Sequence, residues 1–131
     1  MLSFRTMRLG CEWHTRKAFV IFAALPILSC VSTQSKYTAL GAKRAPRAEN
    51  CSVDVFRDGT PQKPFERISR LDYHVEKTGF AGSEFASALP ELRKQACHSG
   101  ADAIIEIQER RTWHIENRGY HVTATGIKYT E

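Results

Sequence analysis

Four cysteines and five histidines hold most of the reactive chemistry in this chain of 131 residues. Cys51 and Cys97 lie in its body, whereas Cys11 and Cys30 lie near its amino end. His114 and His121 flank the turn-forming stretch Glu116-Asn117-Arg118-Gly119. If Asn117-Arg118 is a two-residue turn, paired residue numbers sum to 235, which sets His114 opposite His121 and Thr112 opposite Thr123. Two imidazoles on one hairpin face are half of a zinc or copper site. Glu116 or Arg110 would flank them, no third ligand stands at a suitable spacing, and His74 and His98 cannot be placed from sequence. The other reading of the pair is two exposed polar residues on a wet sheet face, and a three-residue turn would separate them. Trp113, Tyr120 and Val122 fall on the opposite face of the same hairpin, as core or as a partner-binding patch. Enzyme signatures are absent: there is no GxSxG, no phosphate-cradling glycine loop and no recognisable carboxylate pair, and Asp102 reads as a turn residue. The expectation is a non-enzymatic protein with no cofactor and no evident small-molecule substrate.

The thiol at position 30 has a distinctive setting. Arg5, Arg8, Arg16 and Lys17 precede the apolar run Ala18 to Leu28, and Ser29 and Cys30 follow it. Those 11 apolar residues would span about 16 Å as a helix, half of a hydrocarbon core, which fits a cleavable export signal and not a transmembrane anchor. Ile27-Leu28-Ser29-Cys30 resembles the lipobox of bacterial lipoproteins, in which an aliphatic and then a small residue precede the cysteine that receives the lipid. That likeness implies residues 1–29 as signal peptide and Cys30 as the acylated first residue of the mature chain, with the membrane as partner through its lipid. Acyl chains contribute about 0.8 kcal/mol per buried methylene, so two or three hold a protein to a membrane permanently. Alternatives are an ordinary cleaved signal with a free Cys30, or an uncleaved anchor. Thr15-Arg16-Lys17-Ala18-Phe19-Val20 also resembles a twin-arginine signal, with lysine in the second basic place. Val31, where enteric lipoproteins retained in the inner membrane carry Asp, implies an outer-membrane protein facing the periplasm.

With the leader set aside, the charge loses its meaning. Residues 1–29 hold four of the 19 basic and one of the 14 acidic side chains, leaving 15 against 13. Dispersed charges in that ratio are a solvated surface and exclude nucleic acid as the expected partner. Of the thiols, Cys11 leaves with the leader and Cys30 takes the lipid, so an exported chain has Cys51 and Cys97 left for one disulfide. It would close a loop of about 45 residues, worth about 4 kcal/mol in the chain-entropy account. Two separate thiols in the core are the alternative.

The elements follow from pattern. Residues 30–50 read as the lipidated cysteine and a flexible linker, because Val31 to Asn50 holds Ser, Thr, Gln, Ala, Gly and Pro, four basic residues and few large apolar ones. Residues 51–131 read as one domain with a thin core. Ser52 to Phe56 alternates as a half-buried strand and stops at Asp58-Gly59-Thr60-Pro61. Phe65 to Glu76 is a longer strand with one irregularity between Ile68 and Leu71, and Lys77 to Gly82 is a loop. A helix follows, capped by Ser83 or Ser87, with Pro90 near its first turn, a stripe of Leu89, Leu92, Ala96 and Gly100, and Cys97 on the flank. Gly100 ends it. Ala103 to Ile115 and Tyr120 to Tyr129 are two further strands. The fold class is α+β: an antiparallel sheet of about four strands with one helix on one face, in the order β-β-α-β-β.

The segments 88–96, ALPELRKQA, 100–105, GADAII, and 124–128, ATGIK, resemble a group of small β-β-α-β-β domains. That group includes the outer-membrane lipoprotein that senses envelope damage for the Rcs phosphorelay, other lipoproteins, and a cytosolic family labelled heavy-metal binding. The resemblance covers about 51–129 and implies the fold more than the function. The Rcs sensor is richer in disulfides and has a long proline-rich tether, which Val31 to Asn50 does not reproduce. The implied function is a membrane-tethered envelope lipoprotein acting as an interaction or sensor module, with an envelope protein or cell-wall polymer as partner. The alternative is a small metal- or ligand-binding protein using the His114/His121 hairpin face.

Overall fold

Alternation of apolar and polar residues builds most of this domain. The structure, a computed structural model, describes residues 31–78, 84–114 and 117–130. The elements are β1 (Val31–Ala39), β2 (Asp54–Val55), β3 (Phe65–Thr78), α1 (Phe85–Ser99), β4 (Ala103–Trp113) and β5 (Asn117–Tyr129). They form one α+β domain: a five-stranded sheet in the order β1-β3-β5-β4-β2 with the helix on one face. β2 runs parallel to β4 and the other neighbours are antiparallel, so the sheet is mixed.

In β3, Leu71, Tyr73 and Val75 point to the helix, where they meet Ala124, Val122 and Tyr120 of β5 across the ladder. Leu92, Ala96, Cys97, Ala88 and Phe85 of the helix close this core. The helix starts after Glu84, which is extended and makes no side-chain cap, while the Ser87 hydroxyl donates to the Glu84 carbonyl over 2.7 Å. Ser83 lies outside the described residues. Pro90 falls in the second helical turn. Gly100 ends the helix at φ 82°, the left-handed turn that glycine adopts without a Cβ clash, and its N–H reaches the Ala96 and Cys97 carbonyls. A second apolar cluster, Ala103, Ile105 and Ile127 with Phe56, Phe65 and Tyr129, lies on the other sheet face. Residues 103–105 are therefore buried on both faces.

The segment read as a flexible tether is structured. Val31–Ala39 pairs with β3 from Val31↔Lys77 to Ala39↔Ser69 and makes the fifth strand. Its residues are mostly exposed and polar because it is an edge strand whose contribution is backbone pairing, so composition alone could not separate it from a linker. Side chains also hold it: the Gln95 amide donates to Ser35 Oγ (2.7 Å) and to the Asp72 carbonyl (2.8 Å), and its oxygen accepts from the Asp72 N–H (3.0 Å). Residues 40–50 continue across the domain, with Leu40 N–H on the Ile68 carbonyl and Arg47 N–H on the Cys97 carbonyl.

Two bulges set the register. One falls between Arg67 and Ser69 in β3, slightly earlier than the irregularity expected from sequence, and the other between Ile105 and Gln108 in β4. At the latter Glu106 takes φ 54° and is held by Arg67 and by the Thr125 hydroxyl (2.8 Å). The extra residue returns Glu109, Arg111 and Trp113 to the helix-side face, opposite Val122, Tyr120 and Arg118.

Candidate functional site

Cys51 and Cys97 are joined, with α-carbons 5.9 Å apart. The bond ties the buried face of α1 to the segment entering β2. Beside it, a surface cleft is lined by Glu49, Cys51, Leu89, Pro90, Glu91 and Lys94. Cys30 and the leader lie outside the described residues.

His114 and His121 do not face each other. His114 and Asn117 exchange backbone hydrogen bonds of 2.9 and 3.2 Å, so Asn117-Arg118 belongs to β5 and is not the turn. Paired numbers then sum to 231, and His121 stands opposite Arg110 in β4. Asn and a nearby glycine favour a turn at Asn117-Arg118, whereas the core positions of Tyr120 and Val122 and the bulge at 105–108 fix the ladder at 231.

The partner that His121 does have is His74, directly opposite it in β3, with ring centroids 5.5 Å apart and planes at 85°. The rings are held from outside: His121 Nε2 lies 3.1 Å from Asp72 Oδ1, and His74 Nε2 lies 3.2 Å from Glu76 Oε1. These four side chains line the sheet face away from the helix and stay partly exposed. Both carboxylates contact the imidazoles from the flanks rather than converging with them on one point. Among the described residues no group of three or more His, Cys, Asp or Glu is arranged to hold a metal ion. Sequence reasoning missed His74 because β3 and β5 are neighbours only through the topology, with the helix and β4 between them along the chain. His98 lies exposed on the helix.

Asp102 is more than a turn residue. Its carboxylate accepts from Lys128 Nζ (2.8 Å), Arg47 Nη1 (3.1 Å) and the Tyr129 N–H (3.1 Å). Arg47 also donates to the Ala101 carbonyl over 2.7 Å. Burial opposes ionisation here, but the Lys128 and Tyr129 hydrogen bonds and the nearby Lys128 and Arg47 charges outweigh it and hold the carboxyl below its ordinary value. With both oxygens engaged, the group acts as a clamp between the 40–50 segment, β4 and β5.

Of the three apolar hairpin residues, Tyr120 and Val122 are core, and Tyr120 donates its hydroxyl to Glu109 over 2.6 Å. Burial and the Glu109 carboxylate push the Tyr120 phenol upward. Trp113 is instead 68% exposed, with the Arg118 guanidinium 4.4 Å from its ring centroid. The reason is length. A helix of 15 residues reaches about 22 Å, whereas a strand of 14 residues reaches about 46 Å, so the sheet outruns its cover.

The fold and the bridge define a small, disulfide-stapled α+β domain whose second sheet face is largely open. No protein-family model matches the chain, and no curated protein is similar to it. Among solved structures it is similar to the Francisella virulence factor FvfA in its orthorhombic crystal form, at 16% identity and a TM-score of 0.46, over 71% of this chain and 97% of that one.

Proposed function

We propose that this chain is a bacterial envelope lipoprotein: residues 1–29 direct export, Cys30 is acylated, and the domain works on the periplasmic side of the outer membrane as a non-enzymatic interaction or sensor module. The observation that carries the reading is Ile27-Leu28-Ser29-Cys30 at the end of a charged and then apolar leader. The Cys51–Cys97 bond supports it, because such bonds persist in oxidising compartments and not in a reducing cytosol. The likeness of 88–96, 100–105 and 124–128 to the Rcs-sensor group favours a sensor or interaction role over catalysis. The surfaces suited to that role are the outer edge of β1 and the stretch of β4 beyond its short pairing with β2, which offer backbone groups to an added strand. The rival, a metal or ligand binder built on His114 and His121, has lost the geometry that suggested it.

Intact-mass analysis of the protein recovered from membranes tests the reading. The expected species begins at Cys30 and carries a diacylglycerol, and Cys30→Ser abolishes both the added mass and the processing. A polypeptide of 131 residues with its leader attached and Cys30 unmodified would overturn the proposal.

A further inference from the structure

We infer that the end of the sheet from which the chain leads back to Cys30 docks on an anionic phospholipid surface, with Trp113 among the headgroups and Lys77 and Arg111 against the phosphates. The inference rests on acylation of Cys30 and adds an orientation and a lipid-contacting surface to it.

Register places the relevant residues. Val31 pairs with Lys77, Lys77 with Arg118, and Arg118 with Trp113, so one row crosses four strands. Adjacent strands are about 4.8 Å apart, which sets Trp113 about 15 Å from Val31, and Cys30 is one α-carbon step of about 3.8 Å beyond Val31. Because β1 begins at Val31, no slack chain separates a lipid on Cys30 from this row. An anchored domain must hold the row close to the headgroups, with the strands leading away from the bilayer.

The composition of the row suits that position. Trp113 (68% exposed) and Val31 (55%) are two of the three exposed large apolar residues among those described, and the third, Leu40, lies at the far end of β1. Tryptophan favours the membrane–water interface, where an apolar ring and a polar N–H are both accommodated. Lys77 lies between Val31 and the stacked Arg118–Trp113 pair, and Arg111 lies two positions from Trp113 on the same face, over the Tyr120 ring. Glu76, one row back on the other face, is engaged by His74, and Glu109, two positions from Arg111 on the same face, is engaged by Arg57 and the Tyr120 hydroxyl. Each basic side chain near an anionic surface strengthens attachment about fivefold, so the end is charge-complementary to anionic phospholipid.

After residues 1–29 are removed, Trp113 is the sole tryptophan, because the other, Trp13, leaves with them. The acylated protein is reconstituted into phosphatidylglycerol-containing vesicles or into phosphatidylcholine vesicles, and Trp113 emission is read with and without brominated phospholipid. The expected result is a blue shift and strong quenching with phosphatidylglycerol, at least threefold weaker in phosphatidylcholine and in a Lys77→Glu/Arg111→Glu variant that keeps its acyl mass and its melting temperature. Acylated protein bound to phosphatidylglycerol vesicles with water-like, unquenched Trp113 emission overturns the docking and leaves the lipoprotein reading standing. A mass without diacylglycerol overturns both. Shielding of Trp113 in native membranes but not in protein-free vesicles assigns this end to a protein partner and likewise overturns it.

Discussion

At the scale of single residues, Asp102 and Gly126 carry more of the fold than their types suggest. The Asp102 carboxyl titrates below its ordinary value of 3.8 in the folded state, so the unfolded chain takes up its proton first as pH falls. The stability it supplies is complete above about pH 4 and is lost as pH drops through the lower, folded value. Asp102→Asn is therefore expected to cost about 2 kcal/mol at neutral pH, with the gap to wild type closing below pH 4 in thermal melts across that range. Gly126 has a steric role: a Cβ there would lie 2.3 Å from Ser69 Oγ and 3.2 Å from Ala101 Cβ. Gly126→Ala is expected to lose about 1–3 kcal/mol in denaturant titration, and adding Ser69→Ala is expected to restore part of it. The rescue is available because Ser99, which accepts from Ser69, keeps its own donation to the Ala96 carbonyl.

Among the elements, the disulfide and β1 act on the same weakness, a core covered on one side by a single helix. Cys51 and Cys97 are 46 positions apart, and a closed loop of that size constrains the unfolded chain by about 4 kcal/mol. Replacing both by Ser is expected to lower the unfolding free energy by about 3–4 kcal/mol, with wild type under reducing conditions falling to the same denaturation midpoint. The disulfide reading from cysteine arithmetic needed only compartment and count. β1 was not legible, because VSTQSKYTA has neither strict alternation nor an apolar face. Its place depends on β3 offering a free edge and on Gln95 reaching Ser35 from the helix. The hairpin register was lost for a related reason. Asn117-Arg118 is plausible as a turn, but the β4/β5 pairing is set by the core places of Tyr120 and Val122 and by the bulge at 105–108.

For the molecule as a whole, the consequence bears on how the proposed lipoprotein would meet a membrane. A flexible linker of about 20 residues would have let it wander roughly 25 Å from its anchor. A strand that starts at Val31 removes that freedom, so the proposed acylation of Cys30 would give the domain a fixed footing and not a leash. Under the same proposal, the face bearing His74, His121, Asp72 and Glu76 would stand upright beside the bilayer.

The sequence by itself determined the class of the fold, the helix with its glycine stop, the strands after residue 51 and the pairing of two thiols. Each of these is written in local spacing or in residue type. Only the tertiary structure decided that 31–50 is part of the domain, that His121 meets His74 and not His114, and that Trp113 is left uncovered. Those outcomes depend on which strands become neighbours, on single-residue bulges and on the difference in length between a helix and the strands beneath it. None of these is a property of any one segment.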